Sequence, residues 1–226
     1  MDLKTYEMLE KYMLACMDDS AHDKDHIYRV LYAALDIAGS EKDVNYDVLI
    51  SACLLHDIGR REQFENPQLC HAVVGSEKAY KFLISKGMNP EHAEKVKGCI
   101  KTHRFRSDSQ PQSIEAKILF DADKIDVTGT LGIARTILYK GQVSEPLYSM
   151  MQDGQVSDGT YDTSPSFFQE FKYKLEGLYN QFYTNRGTEI AAERQASATA
   201  FYNNMLHEVQ SLHEVGHDLL LEHTIK

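Results

Sequence analysis

Histidine and aspartate recur in this chain at places from which their side chains could meet: His26 in "HDKDHIYRV", the adjacent pair His56-Asp57 in "LLHDIGR", His71 in "CHAVVGSEKA", His103 in "CIKTHRF" and Asp123 in "FDADKID". Imidazole nitrogens and carboxylate oxygens projected from separate helices into one interior point are how a helical bundle builds a metal site. A mixed nitrogen and oxygen shell suits Mn, Fe, Co, Ni or Mg and leaves room for water, whereas the absence of thiolates speaks against structural zinc. The His-Asp dipeptide occurs at 22–23, 56–57 and 217–218, and at 56–57 it ends a strongly apolar run, "LISACLL". His71 and His103 have a second reading as core or helix-terminal histidines satisfied by backbone.

The elements that must carry these residues read almost entirely as helix. Helical apolar spacing covers 3–17, 24–38 and 46–58, with Asn45 as N-cap of the third and Gly59 as its end. "CHAVVGSEKAYKFLISKG" closes at Gly87, and "MNPEHAEKVKGCIKTH" opens with Asn89 as cap and Pro90 at the first helical position. "SIEAKILFDADKID" and "TLGIARTILYKG" follow as two close, nearly continuous helices. Residues 141–164 break the pattern with Gly, Ser, Asp and Tyr, and a loop of that length is a lid or a disordered excursion. The stretches 166–183 and 188–223 are expected as two long amphipathic helices packing back over the core; the Tyr and Phe stripe over 167–183 is core or the surface of a homodimer. The fold expected is an all-α, single-domain helical bundle over 1–226.

Bulk properties narrow the partners. With 226 residues and 42% hydrophobic content the chain can bury a full core. Cys16, Cys53, Cys70 and Cys99 form no C-x-x-C pair and read as small buried hydrophobes of a reducing compartment. A formal net charge of −10 disfavours extended nucleic acid, while a local arginine cluster still allows a small anionic substrate. No apolar run is long enough for a membrane span, the first residues do not read as a signal peptide, and a cytoplasmic protein is expected.

The order His…His-Asp…Asp, with "HIYRV", "ACLLHDIG" and "ILFDADKID" as contexts, resembles the HD-domain superfamily of metal-dependent phosphohydrolases over roughly residues 20–135. The chain resembles the small stand-alone bacterial YedJ-like HD hydrolases better than the HD-GYP proteins; their "DAD" and "G-x-G-I-A-R" signatures read here "DADKID" and "TGTLGIAR". The resemblance implies His26, His56, Asp57 and Asp123 as ligands of a divalent ion, with Asp121 and Asp126 as supporting or capping carboxylates. Members with two metals carry further histidines where this chain has His71 and His103, which implies a second ion or a phosphate contact there, with Asp57 bridging. "HDIGRREQF" replaces the lysine-containing "HDIGK" of the HD-GYP proteins and no GYP follows, which disfavours a cyclic dinucleotide.

The activity implied is metal-dependent hydrolysis of a phosphate ester or anhydride of a nucleotide or related small molecule, with one or two ions (Mn, Mg, Fe, Co or Ni) per chain. Asp57 is central, and Arg60, Arg61 and Lys124, where arginine is expected, are catalytic candidates. Arg29 and Arg104 are further phosphate contacts. The alternatives are an HD-type di-iron oxygenase and a nucleotide-binding module without turnover. His213, His217 and His223 are expected to face solvent on the end of a long helix, and His22 to be polar surface or a support behind the ligands.

Overall fold

The computed structural model describes residues 1–17, 24–104 and 110–224; His22 and Asp23 lie outside these. It is all-α, and among the described residues the only β-type pairing is an isolated bridge between Met150 and Val156. The chain falls into two compact units, Met1–Asp126 with Phe182–Gly187, and Val127–Gln181 with Thr188–Lys226. No described helix is long and apolar enough to cross a membrane.

The first unit holds α1 (Leu3–Cys16), α2 (Lys24–Ala38), α3 (Tyr46–Leu55), α4 (Arg60–Glu65), α5 (His71–Ser85), α6 (Pro90–Thr102) and α7 (Ile114–Ile125). Several of its helix starts are set by side chains that satisfy orphan backbone donors. Asn45 Oδ1 accepts from Val48 N at 3.2 Å, Asn89 Oδ1 from Glu91 N at 2.7 Å with Pro90 following, and Ser113 Oγ from Ala116 N at 3.1 Å. Gly87, at φ +75°, takes the left-handed position that ends α5.

Helix α3 buries Val48, Leu49, Ser51, Ala52, Cys53, Leu54 and Leu55. A helix so evenly apolar is stable only when enclosed, and α3 packs against α1, α2, α5, α6 and α7. It ends at Leu55, three residues before the sequence expectation, because the chain turns at 56–59. A β-carbon on Gly59 would lie 2.4 Å from His71 O and 2.6 Å from Gly75 N. The two glycines therefore let the first turn of α5 lie directly on the His-Asp turn, and His71 and Gly75, four residues apart, share that face.

The second unit holds α8 (Gly129–Gln142), α9 (Phe167–Glu170) and most of α10 (Asn185–Thr224). α7 and α8 are not continuous: the chain turns at Val127 and Thr128, and Gly129 sits at φ +66°. The regular helix expected over 166–183 is also corrected. α9 widens into a π turn at Phe171–Leu175, with Glu176 N donating to Phe171 O at 2.8 Å, and after Gly177 only a short 3-10 turn, Leu178–Asn180, remains. Phe171 lies flat on Tyr202, ring centroids 4.1 Å apart, so the widened turn serves a stacking contact that apolar spacing does not encode. Residues 143–166 are held within this unit, with Ser157 N on Ser149 O at 2.9 Å and Tyr202 Oη donating to Asp158 O.

Candidate metal centre

Each histidine of the cluster is delivered by a different helix, and each has its Nδ1 engaged. His26, on α2, meets Asp126 Oδ2 at 2.7 Å, and Arg29 grips the same carboxylate through Nε at 2.7 Å and Nη2 at 3.1 Å. His56, in the turn after α3, has Nδ1 2.7 Å from Cys53 O, and His103, after α6, has Nδ1 2.6 Å from Ile100 O. His71, at the start of α5, makes a short hydrogen bond from Nδ1 to Gln63 Oε1 of α4. With Nδ1–H donating, Nε2 keeps its lone pair and points inward.

Two sets of donors result. His26 Nε2 lies 3.3 Å from His56 Nε2, 3.3 Å from Asp123 Oδ1 and 3.6 Å from Asp57 Oδ2; His56 Nε2 lies 3.7 Å from Asp57 Oδ2 and 4.0 Å from Asp123 Oδ1. On the far side of the same carboxylate, Asp57 Oδ1 lies 3.4 Å from His71 Nε2 and 3.7 Å from His103 Nε2. Donors bound about 2.0–2.2 Å from a common ion stand about 3.0–3.5 Å apart, so both sets have the spacing of a cation shell opened slightly. Asp57 Oδ1, His71 Nε2 and His103 Nε2 are moreover buried without a hydrogen-bond partner. Three converging buried acceptors are costly unless a cation joins them, and a divalent ion fits this donor chemistry.

The electrostatics differ between the two sets. Burial pushes the His71 imidazole down, with Arg60 adding to it, to about 2, and burial takes His103 to about 4, so both are neutral donors at neutral pH. Burial would likewise lower His26, but Asp123 and Asp126 overcome it and raise it to about 9. Burial works against ionised Asp57 and Asp123 too. Arg60 and the surrounding histidines nevertheless hold Asp57 well below the carboxylate range, and His26 does the same for Asp123.

The remaining candidates divide. Arg60 Nε is 3.0 Å from Asp57 Oδ2 at the rim, and Arg104 Nη1 lies 3.8 Å from Cys70 Sγ, near enough to His71 to depress it. Arg61, largely exposed, pairs with Glu65 at 3.1 Å. Lys124 is buried with Nζ over the Phe120 ring at 4.2 Å. Asp121 takes no part in either donor set: it accepts from Tyr183 N, Thr184 N and Thr184 Oγ1 at 2.7–3.0 Å. His213 and His217 stack on exposed α10, and His217 pairs only loosely with Asp218 at 3.7 Å. The residue that sequence reasoning misses is Gln63. Its one visible signal is its place three residues after Arg60, on the same face of the helix that follows the His-Asp turn.

An all-α unit that gathers histidines and aspartates from separate helices around a doubly facing carboxylate defines a class of helical metal-site proteins. Residues 24–128 match the HD domain, a match that supports membership of the HD-domain superfamily. It is similar to YpgQ of Bacillus subtilis strain 168, 29% identical over 217 residues and covering 93% of each chain. The crystal structure of YpgQ in complex with ADP aligns at a TM-score of 0.70 and 25% identity over 91% of this chain and 95% of that one. An HD-superfamily hydrolase from an uncultured Thermotogales bacterium aligns at a TM-score of 0.59 and 26% identity, over 91% and 92% of the two chains. YueE of Bacillus subtilis, named as a candidate phosphohydrolase, is 29% identical over 120 residues, 46% of this chain and 60% of that one.

Proposed function

We propose that the protein is a metal-dependent phosphohydrolase acting on a nucleotide or a related small phosphate ester or anhydride. The observation that carries the reading is the Asp57 carboxylate, buried between two sets of imidazoles, with Oδ1, His71 Nε2 and His103 Nε2 unpartnered in the protein. His26, His56, Asp57 Oδ2 and Asp123 would hold one divalent ion, and Asp57 Oδ1, His71 and His103 a second. Ions bound there supply Lewis acidity toward a phosphoryl oxygen and make water nucleophilic near neutral pH.

The chain's own residues do the rest. The Nδ1 hydrogen bonds turn the Nε2 atoms of four imidazoles inward, His71 and His103 stay neutral, and Asp57 and Asp123 stay ionised against burial. Arg60, about half exposed beside Asp57, and Arg104 offer planar cationic donors to phosphate oxygens. Arg29 serves indirectly, by neutralising Asp126 behind His26. The complex of YpgQ with ADP supports a nucleotide as ligand.

The test is a hydrolysis screen of nucleoside tri-, di- and monophosphates and simple phosphate esters with Mn, Co, Ni and Mg, on the full chain and on Asp57→Ala and Asp218→Ala. Turnover is expected in wild type and Asp218→Ala and lost in Asp57→Ala. Oxygen uptake by an iron-loaded protein that hydrolyses nothing would move the assignment to oxygenase chemistry.

A further inference from the structure

The four imidazoles of the cluster are not equally committed to their tautomers. His56 and His103 donate to main-chain carbonyls three residues earlier, which can only accept. His26 faces Asp126, a carboxylate that also accepts from Arg29 Nε and Nη2. His71 alone, among the described residues of the cluster, is oriented by a side-chain amide, and an amide can present either oxygen or NH2. With Gln63 Oε1 toward it, Nδ1 carries the proton and the Nε2 lone pair faces Asp57 Oδ1, 3.4 Å away. With the amide turned over, Nδ1 must accept, the proton moves to Nε2, and Nε2–H donates to Asp57 Oδ1 in the place a cation would take.

We infer that Gln63 is a positioning residue that opens or closes the second ion position by selecting the His71 tautomer, and that the two ion positions are consequently unequal. The inference rests on the two-ion reading above. Its structural setting is α4, a six-residue helix with no buried residue, tied to α5 by Lys78, which donates to Glu62 Oε1 at 2.6 Å and to Ile58 O at 2.7 Å. The donors of the first position come from the well-buried helices α2, α3 and α7 and their ends, whereas the second depends for the orientation of His71 on Gln63 of this helix.

The experiment uses the full chain, stripped of metal and titrated with Mn2+ by calorimetry and electron paramagnetic resonance. Long-range proton–nitrogen NMR correlations report the His71 tautomer in the stripped protein. Wild type is expected to take two ions, the second more weakly, with the proton of His71 on Nδ1. Gln63→Glu, which can only accept while ionised, should keep that tautomer and bind the second ion at least as tightly. Gln63→Leu should populate the Nε2–H form and weaken the second ion tenfold or more, leaving the first unchanged. Circular dichroism confirms that each variant is folded. Two ions of unaltered affinity in folded Gln63→Leu overturn the inference alone; a single ion in wild type overturns the two-ion reading and the inference with it.

Discussion

Replacing Gly59 by alanine adds one methyl group where the His-Asp turn meets α5. Gly59 itself has φ −97° and ψ 3°, which alanine adopts freely, so the effect is one of space rather than backbone conformation. The new carbon would lie 2.4 Å from His71 O and 2.6 Å from Gly75 N, against an ordinary contact of 3.4 Å or more, and main chain cannot swing aside as a side-chain tip can. The first turn of α5 must retreat by about 1 Å and carry His71 with it, at an overpacking cost of about 1–3 kcal/mol. His71 Nε2 starts 3.4 Å from Asp57 Oδ1, so the retreat takes it beyond the reach of a shared ion. Misplacement on that scale costs about 100-fold in rate. Gly75→Ala is the matched control: its β-carbon would meet Gly59 N and His56 O at 3.3 Å, a misfit of tenths of an ångström. Thermal melts, Mn2+ titration and hydrolysis rates on the two variants should show a folded Gly59→Ala protein with its second ion and most turnover gone, and a mildly affected Gly75→Ala. Unchanged second-ion affinity in Gly59→Ala would refute the reasoning, because the close approach would then not be what seats His71.

Three further outcomes follow from single contacts. Asp121→Ala strips acceptors from Tyr183 N, Thr184 N and Thr184 Oγ1, and should cost about 2–4 kcal/mol. By calorimetry this should appear as a Tm drop on the order of 5–15 °C. Chelation of wild type should lower Tm, and Mn2+ should restore it in proportion to the logarithm of free metal; Asp57→Ala should show no such response. In the second unit, burial raises Glu170, but Lys174 and Lys140 outweigh it and keep its carboxyl below the ordinary 4.5. A depressed folded value means stability that is present above about pH 4.5 and lost as pH falls through the folded value, so Glu170→Gln should flatten the acid limb of a pH-dependent melt.

Caps and patterning carry most of the first unit in the sequence, because they are local. Asn45, Asn89 with Pro90, and Gly87 mark helix ends through bonds within a few residues, and the structure puts the ends there. His26, His56, Asp57, His71, His103 and Asp123 are legible as a group because each sits in a distinctive context, and the structure brings their donor atoms together. What spacing does not carry is direction at the end of a long side chain. Arg60 and Arg61 are neighbours in the sequence, yet one turns to Asp57 and the other to Glu65. Gln63 is marked only by its place after Arg60 for the same reason: its partner depends on how α4 folds back toward the start of α5. The π turn at 171–175 escapes because its apolar spacing is that of an ordinary helix, and only the stacking of Phe171 on Tyr202 distinguishes it.

Helix α7 hands out three carboxylates within six residues: Asp121 to the segment that starts α10, Asp123 to the donor set, and Asp126 to the back of His26. Each residue turns the helix by about 100°. A single deletion upstream of Asp121 would therefore swing all three away from their partners at once. The anchoring of the chain's return, one oxygen donor of the proposed first ion position and the orientation of a histidine on α2 are thus written in one reading frame. Substitutions can change these duties one at a time, but a change of length cannot.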